Sequence, residues 1–477
     1  MSAPVAHASL SQWLEYLETL HPVAIDMGLS RVQAVAGSLN IKLDSTVITV
    51  AGTNGKGSVC AMLEAMVLAG GYRVGCYTSP HLVHYNERIR IDGEPVDDAH
   101  IIEQFERIDA ARGDISLTYF EFGTLAALLL FAQTDLDVVI LEVGLGGRLD
   151  AVNIIDADCA VITSIDIDHR DWLGDSREEI ALEKAHIFRP GRPAICADPQ
   201  PPQTLVDHAQ AIGADLWRFG RDFNYSGDRL QWAYGGREQR RSALAYPALR
   251  GANQLLNASA ALAALETLRD RIVLPQHAIR LGLSHAALPG RFQIMPGQPM
   301  VILDVAHNPH AAAALSQNLA NIPSTGKTSA IVGMFGDKDV RGVLQHMIYH
   351  VDHWLCVDLP GPRGLPATAL AGIIRELHAD VQVRTAEGDR PRLFYEAEEL
   401  LQPIGSPEFD PVTPDGPGVR PVARSLGARL EISVHCLPDP VSAYNQAIGQ
   451  AGVNDRILVF GSFATVGPVL ERLGQRD

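Results

Sequence analysis

Short runs of consecutive apolar, often β-branched residues recur through the first half of the chain. Each is followed by a longer stretch with helical spacing. Strands are predicted over residues 47–51, 74–78, 138–142, 160–165 and 193–197. Helices are predicted over 59–68, 99–111, 122–132 and 177–187, with another at 11–20, where Trp13, Leu14, Leu17 and Leu20 share one face. Strands without polar alternation are buried on both sides. Alternating with helices, they indicate a doubly wound, mainly parallel α/β sheet.

The pattern changes near residue 222. Residues 222–246 read as short strands and turns, and a helix follows over 253–268. The sequence Leu288-Pro289-Gly290-Arg291 then interrupts the periodicity, as a linker does. A second alternation begins beyond it, with strands predicted over 300–304, 329–333, 353–357, 381–384 and 456–460. Two α/β domains are therefore expected, over residues 1–290 and 291–477. Residues 405–427 are rich in Pro and Gly and are expected to form a surface insertion or mobile loop. There is no internal repeat or coiled-coil heptad.

Composition narrows the function. The 477 residues allow two to three domains, taking about 150 residues for each. A net charge of −17, from 39 basic and 56 acidic residues, argues against nucleic acid as a partner, which needs a positive face. The basic run 237–241 is short and is expected in a solvated loop or hairpin. Six scattered cysteines with no C-x-x-C pair suggest thiols of a reducing compartment. No signal peptide is indicated at the N-terminus. The longest strongly apolar stretch, 125–132, is shorter than the roughly 20 residues of a membrane span. A cytoplasmic protein without a membrane partner is expected.

The most informative motif is Ala-Gly-Thr-Asn-Gly-Lys-Gly-Ser at 51–58, between a predicted strand and a predicted helix. Glycines let backbone N–H groups approach an anion, the helix N-terminus adds positive potential, and Lys56 supplies a point charge. This is a phosphate cradle, and the expected ligand is ATP. Gly57 separates Lys56 from Ser58, whereas the common P-loop has its hydroxyl directly after Lys. That spacing weakens a generic kinase or GTPase reading.

Polar residues cluster just after other predicted strands, where open α/β sheets bind ligands. Glu142 could reach a phosphate-bound magnesium ion, or pair with a base such as Arg148. Ser79, in Tyr-Thr-Ser-Pro-His-Leu, could offer a hydroxyl to a metal or cap a turn. His169, in Ser-Ile-Asp-Ile-Asp-His, could be a ligand or a packing or surface residue. Lys184, on a predicted helix, would ordinarily be a surface cation.

In order, GTNGKGS, YTSPHL, LEVGLGGRLDAVN, SIDIDH, EKA, GANQLLNA, GRFQ, LDVAHNP, GMFGDKD and FGSFATVG resemble the folylpolyglutamate synthase family of Mur-type amide ligases. The resemblance runs from His21 to Phe463. It implies an N-terminal P-loop domain like the Mur-ligase central domain and a Rossmann-like C-terminal domain. It implies that Thr53, Asn54, Gly55, Lys56, Gly57 and Ser58 hold the ATP phosphates. Ser79, Glu142 and His169 take the positions of magnesium ligands, for two ions. Lys184 takes that of a lysine carbamylated in related ligases. A carbamate would offer anionic oxygen where an ammonium would repel the ions.

The same resemblance places Asn253, Arg291 and Asp304 at nucleotide contacts and His307 near the incoming glutamate, with Lys56, Lys184 and His307 as catalytic residues. Asn308 and Pro309 need no chemical role, since Asn is a good N-cap and Pro suits the first helical position. Thr118, Tyr119, Phe120 and Glu121, Leu149, Asp150 and Ala151, and Thr19, Leu20, His21 and Pro22 align with a pterin-side pocket. Tyr119 and Phe120 could equally be core residues starting an apolar helix.

The reaction implied joins L-glutamate to dihydropteroate and to folates through an acyl phosphate, with the nucleotide lying between the domains and closure excluding water. A monomer is expected. The alternatives are a folylpolyglutamate synthase without the dihydropteroate activity, or another Mur-type ligase. The 51 residues before Gly52 are few for the additional N-terminal domain that peptidoglycan-precursor ligases commonly carry.

Overall fold

The computed structural model describes residues 8–228, 230–322, 325–386 and 432–475. Expectations for 405–427 lie outside them. The chain divides into two units, one of residues 1–248 with 254–288 and one of 249–253 with 289–477.

The first unit is built on an eight-stranded sheet. Its strands are β1 (Thr46–Ala51), β2 (Val74–Tyr77), β3 (Ile89–Ile91), β4 (Glu94–Pro95), β5 (Val138–Glu142), β6 (Cys159–Ile162), β7 (Pro193–Cys196) and β8 (Asp215–Arg218), in the order β4-β3-β2-β5-β1-β6-β7-β8. From β2 to β8 all pairings are parallel, while β3 and β4 add antiparallel to the β2 edge. Every residue of β1 and β5 is buried, as their unbroken apolar runs require. Helices Lys56–Ala69, Tyr119–Gln133 and Gln254–Thr267 contribute wide buried faces.

Register matters for the site. Tyr77 pairs with Leu141, Val50 with Glu142 and Ala51 with Ile162. The carboxyl ends of β2, β5, β1 and β6 therefore stand side by side, and the four loops that leave them are neighbours. A separate antiparallel sheet, β9 (Asn224–Gly227), β10 (Trp232–Gly235) and β11 (Arg240–Leu244), occupies the region expected to hold short strands. The basic run 237–241 spans the end of the β10–β11 turn and the start of β11.

The second unit carries β12 (Gln293–Met295), β13 (Met300–Asp304), β14 (Thr328–Val332), β15 (His353–Val357), β16 (Ser433–Leu437) and β17 (Arg456–Phe460), in the order β12-β13-β17-β14-β15-β16. Only β12 runs antiparallel to its neighbour among these described strands.

One expectation is corrected here. Residues 381–384 are not a strand but the last turns of helix Ala367–Ala386. Ala367, Leu370, Ala371, Ile374 and Leu377 form a buried helical stripe in the core. Once nucleated, that helix extends at little cost per residue, and the local β preference of Val381 and Val383 does not stop it. The sixth strand is Ser433–Leu437 at the sheet edge, which is only partly buried and has no apolar run to announce it.

Candidate active site

In the first unit the loop after β1 enters helix Lys56–Ala69 through Gly55, whose φ of 90° favours glycine. Gly52 is similarly constrained. Its φ is 146°, and a Cβ there would lie 1.9 Å from Thr163 Oγ1. The loop is pinned to the segment after β6. Thr53 N donates to Ser164 O at 2.7 Å, Thr53 Oγ1 to Asp166 O at 3.0 Å, and Asn54 N to Ser164 Oγ at 3.1 Å. Thr53 and Asn54 thus hold the loop's shape. Lys56, Gly57 and Ser58 start the helix, where backbone N–H groups lack intrahelical acceptors and can receive an anion.

Two ammonium groups meet at one carbonyl. Lys56 Nζ donates to Gly52 O at 3.0 Å, and Lys184 Nζ donates to the same oxygen at 3.3 Å. Lys184 is only 4% exposed, so it is not a surface cation. Burial first, and then the charge of Lys56, push it down to about 7. Asp168 and Asp150 act in the opposite direction. At neutral pH a substantial fraction of Lys184 is therefore the neutral amine.

Helix Arg177–Ala185 brings Lys184 here, against the loop after β5. Arg148 N donates to Glu183 O at 3.0 Å, and a Cβ on Gly147 would lie 2.8 Å from Glu183 O. Glu142, 4% exposed, accepts from Ser79 N at 3.0 Å, so two sequence-predicted metal positions are adjacent. Arg148 instead pairs with Glu183, 2.7 Å apart. His169 sits at the surface in a left-handed conformation, φ 54°, beside Asp168. Among the described residues no three His, Cys, Asp or Glu side chains converge as a metal cage. A hydroxyl and a buried carboxylate nevertheless fit a hard divalent cation that keeps waters and phosphate oxygens as its other ligands.

The segments predicted to line a pterin pocket are linked by polar contacts. His21 reaches Ser116 Oγ at 3.0 Å and Asp26 at 3.1 Å, while Arg31 joins Asp26 at 2.6 Å to Glu121 at 3.1 Å. Thr118 and Glu121 form the capping box of helix Tyr119–Gln133, a local reason for that spacing. Thr19 Oγ1 bonds back to Tyr16 O within its helix. Asp150 accepts from Leu145 N and Val152 N, and burial raises it to about 6. Leu149 and Ala151 flank it, and Leu20 packs on the same core as Ala151 and Phe120. Tyr119 and Phe120 are partly exposed, whereas Phe122 is fully buried. Tyr119 and Phe120 nevertheless pack against the core that contains Phe122, so each has a core side as well as an open one. Pro22 is exposed, beside the partly buried His21.

Sequence reading missed Arg31 and Arg88. Arg88 Nε donates to His81 Nδ1 at 2.8 Å, and its guanidinium lies 5.4 Å from the Tyr85 ring and 5.5 Å from the Tyr119 ring. Burial, then the Arg88 charge, hold His81 down to about 4. The only signal was the basic pair Arg88 and Arg90 soon after the YTSPHL motif.

In the second unit, Asp304 accepts from Phe292 N at 2.9 Å and Ala306 N at 2.8 Å, and burial raises its carboxyl despite the nearby Arg291. Arg291 lies 5.0 Å from the Phe463 ring centroid, and His307 Nδ1 is 2.9 Å from Val305 O. Asn308 caps helix Pro309–Ala320, accepting from Ala311 N. Asn253 falls in the short 249–253 segment of this unit, which Asn318 anchors by accepting from Ala252 N at 3.0 Å.

A parallel sheet with a glycine-rich strand-to-helix loop is followed along the chain by a second α/β unit, and each part matches a Mur ligase domain family. The Mur ligase middle domain matches residues 50–265, and the Mur ligase glutamate ligase domain matches 290–405. A dihydrofolate synthase/folylpolyglutamate synthase of Escherichia coli K12 is 44% identical over 475 residues, covering 99% of this chain and 97% of the relative. The chain belongs to the dihydrofolate synthase/folylpolyglutamate synthase family. Among solved structures, E. coli FolC in complex with DHPP and ADP superposes with a TM-score of 0.84 at 42% identity, covering 99% of both chains. A bifunctional folylpolyglutamate synthase/dihydrofolate synthase with Mn, AMPPNP and L-glutamate bound has a TM-score of 0.81 at 42% identity, covering 99% of this chain and all of the other. Among the described residues no helix is long and apolar enough to cross a membrane.

Proposed function

We propose that this chain is an ATP-dependent ligase that joins L-glutamate to dihydropteroate and to folates through an acyl phosphate. The observation that carries the reading is the convergence of Lys56 and Lys184 on Gly52 O, at the entry to a helix N-terminus. The acceptor carboxylate attacks the γ-phosphate of ATP, and ADP leaves. The amine of glutamate then attacks the acyl carbon, and inorganic phosphate leaves as the amide forms. Lys56 and the amides of residues 55–58 stabilise charge on the transferring phosphoryl group. Thr53 and Asn54 keep that loop in place.

A divalent cation would be held by Ser79, Glu142 and His169, joined by a carbamylated Lys184, and would neutralise charge on the phosphates. Two such ions are part of this reading. The lowered proton affinity of Lys184 supports carbamylation, because only a neutral amine adds to carbon dioxide. In the second unit, Arg291, Asp304 and Asn253 are assigned to the nucleotide. His307 is assigned to the glutamate amine. Its Nδ1 lies 2.9 Å from Val305 O, a contact that orients the ring. The partly exposed Tyr119 and Phe120, with Thr118, Asp150 and Ala151 behind them, supply the face for the pterin or aminobenzoyl ring. We place the protein in the cytoplasm and expect a monomer.

The test is ADP formation that depends on added glutamate, measured with dihydropteroate and with tetrahydrofolate. Turnover with both acceptors is expected. Turnover with tetrahydrofolate alone would reduce the activity to polyglutamylation, and turnover with neither would overturn the acceptor assignment.

A further inference from the structure

Arg88 and Arg90 leave the same short segment with opposite fates. Arg90 is neutralised by the buried Glu64, 2.7 Å from its Nη2 to Oε2, and its Nη1 donates to Thr78 Oγ1 and Glu87 O. It has a complete structural role. The hydrogen bond Arg88 makes is that of Nε to His81, and among the described residues no carboxylate pairs with it. The neighbouring acid is committed elsewhere. Both oxygens of Glu87 accept backbone N–H groups, from Leu82, Val83 and His84, each at 2.7 Å.

Arg88 is therefore a partly buried guanidinium with its Nη1–Nη2 edge uncommitted. It is held in place by the His81 imidazole on one side and by the rings of Tyr85 and Tyr119. Aromatic faces attract the cation without cancelling its capacity to donate. Such an edge matches a carboxylate, which it can engage through two parallel hydrogen bonds. Its position is also informative. Tyr119 belongs to the acceptor pocket assigned above, and His81 follows Ser79, whose backbone meets Glu142.

We propose that Arg88 clamps a spectator carboxylate of the folate acceptor, namely the α-carboxylate of its glutamyl tail. This rests on the function proposed above. The carboxylate to be phosphorylated must keep lone pairs for the γ-phosphate, and a bidentate guanidinium would tie them up. A carboxylate that does not react has no such conflict. Dihydropteroate carries only the reacting carboxylate, so Arg88 discriminates between the two acceptors.

The experiment compares wild type, R88A and R88K in the full chain, using tetrahydrofolate monoglutamate, its α-carboxamide analogue and dihydropteroate. Loss of a charge-assisted pair is expected to raise the KM for tetrahydrofolate about thirtyfold in R88A, with partial recovery in R88K. The ratio of kcat/KM for tetrahydrofolate over dihydropteroate should fall at least about tenfold. Wild type should bind the carboxamide analogue about thirtyfold more weakly than tetrahydrofolate, and that arm needs no variant to fold. In R88A the two ligands should become equivalent, as a double-mutant cycle requires. Equal losses with both acceptors, or a wild type indifferent to the carboxamide, would overturn the clamp. Wild type inactive with either acceptor would instead refute the function on which it rests.

Discussion

The first unit contains two places where basic groups crowd together, and they resolve the conflict differently. At Gly52 O, Lys56 and Lys184 are both ammonium ions by default, and the more buried Lys184 gives way toward its neutral form. Near Tyr119 the partners are Arg88 and His81, and the weaker base stays neutral. Burial is the larger cause in each case, and the neighbouring charge the second. What remains differs in use. A neutral amine is a nucleophile. A neutral imidazole is an acceptor that fixes its neighbour's orientation.

The largest effect expected from breaking the first group comes from K56A, which should lower glutamate-dependent turnover by about a thousandfold with circular dichroism unchanged. K184A should also nearly abolish turnover. With 13C-labelled bicarbonate, wild type should show a carbamate resonance that K184A lacks. Because Lys184 lies near 7, carbamate formation should rise as pH increases through that value and fade below it, where the ammonium dominates. Full activity of K184A would remove the residue from the site.

A subtler experiment separates burial from the neighbouring charge. K56M removes the neighbouring charge but not the burial, so the Lys184 inflection should move up by about one pH unit or less. The pH profile of Lys184 acylation would report it, and an unmoved profile would show that burial acts alone. The smallest effect should come from the second group. Y119L removes one of the two rings beside Arg88 and should cost about 0.5–2 kcal/mol in urea unfolding. Y119F keeps the ring and should cost less.

The sheet strands of the first unit were legible because continuous apolar runs have few other uses; the structured β5, Val138–Glu142, matches its expected bounds. The edge strands were not. Asp215–Arg218 and Ser433–Leu437 are partly exposed and gain their partners from distant segments. Residues 381–384 show the reverse error, in which local alternation lost to a helix already anchored by Leu370, Ile374 and Leu377. The phosphate cradle could be read because its geometry needs glycines at fixed positions. Arg88 could not, because its significance lies in what fails to pair with it. Arg31 was hidden for a related reason, since its partners Asp26 and Glu121 lie 5 and 90 residues away.

Gly147 is constrained by backbone rather than by ligand. It belongs to a glycine-rich stretch that invites comparison with a ligand loop, yet its missing side chain is required by the carbonyls of Glu183 and Lys184, 2.8 and 2.9 Å from where a Cβ would be. One methyl group there would act as a wedge under the helix that carries Lys184. The spacing between two backbones, rather than any contact with substrate, therefore sets the tolerance of this position. Directed evolution of the enzyme toward other acceptors would find Gly147 closed to change, however remote the new acceptor lay from it.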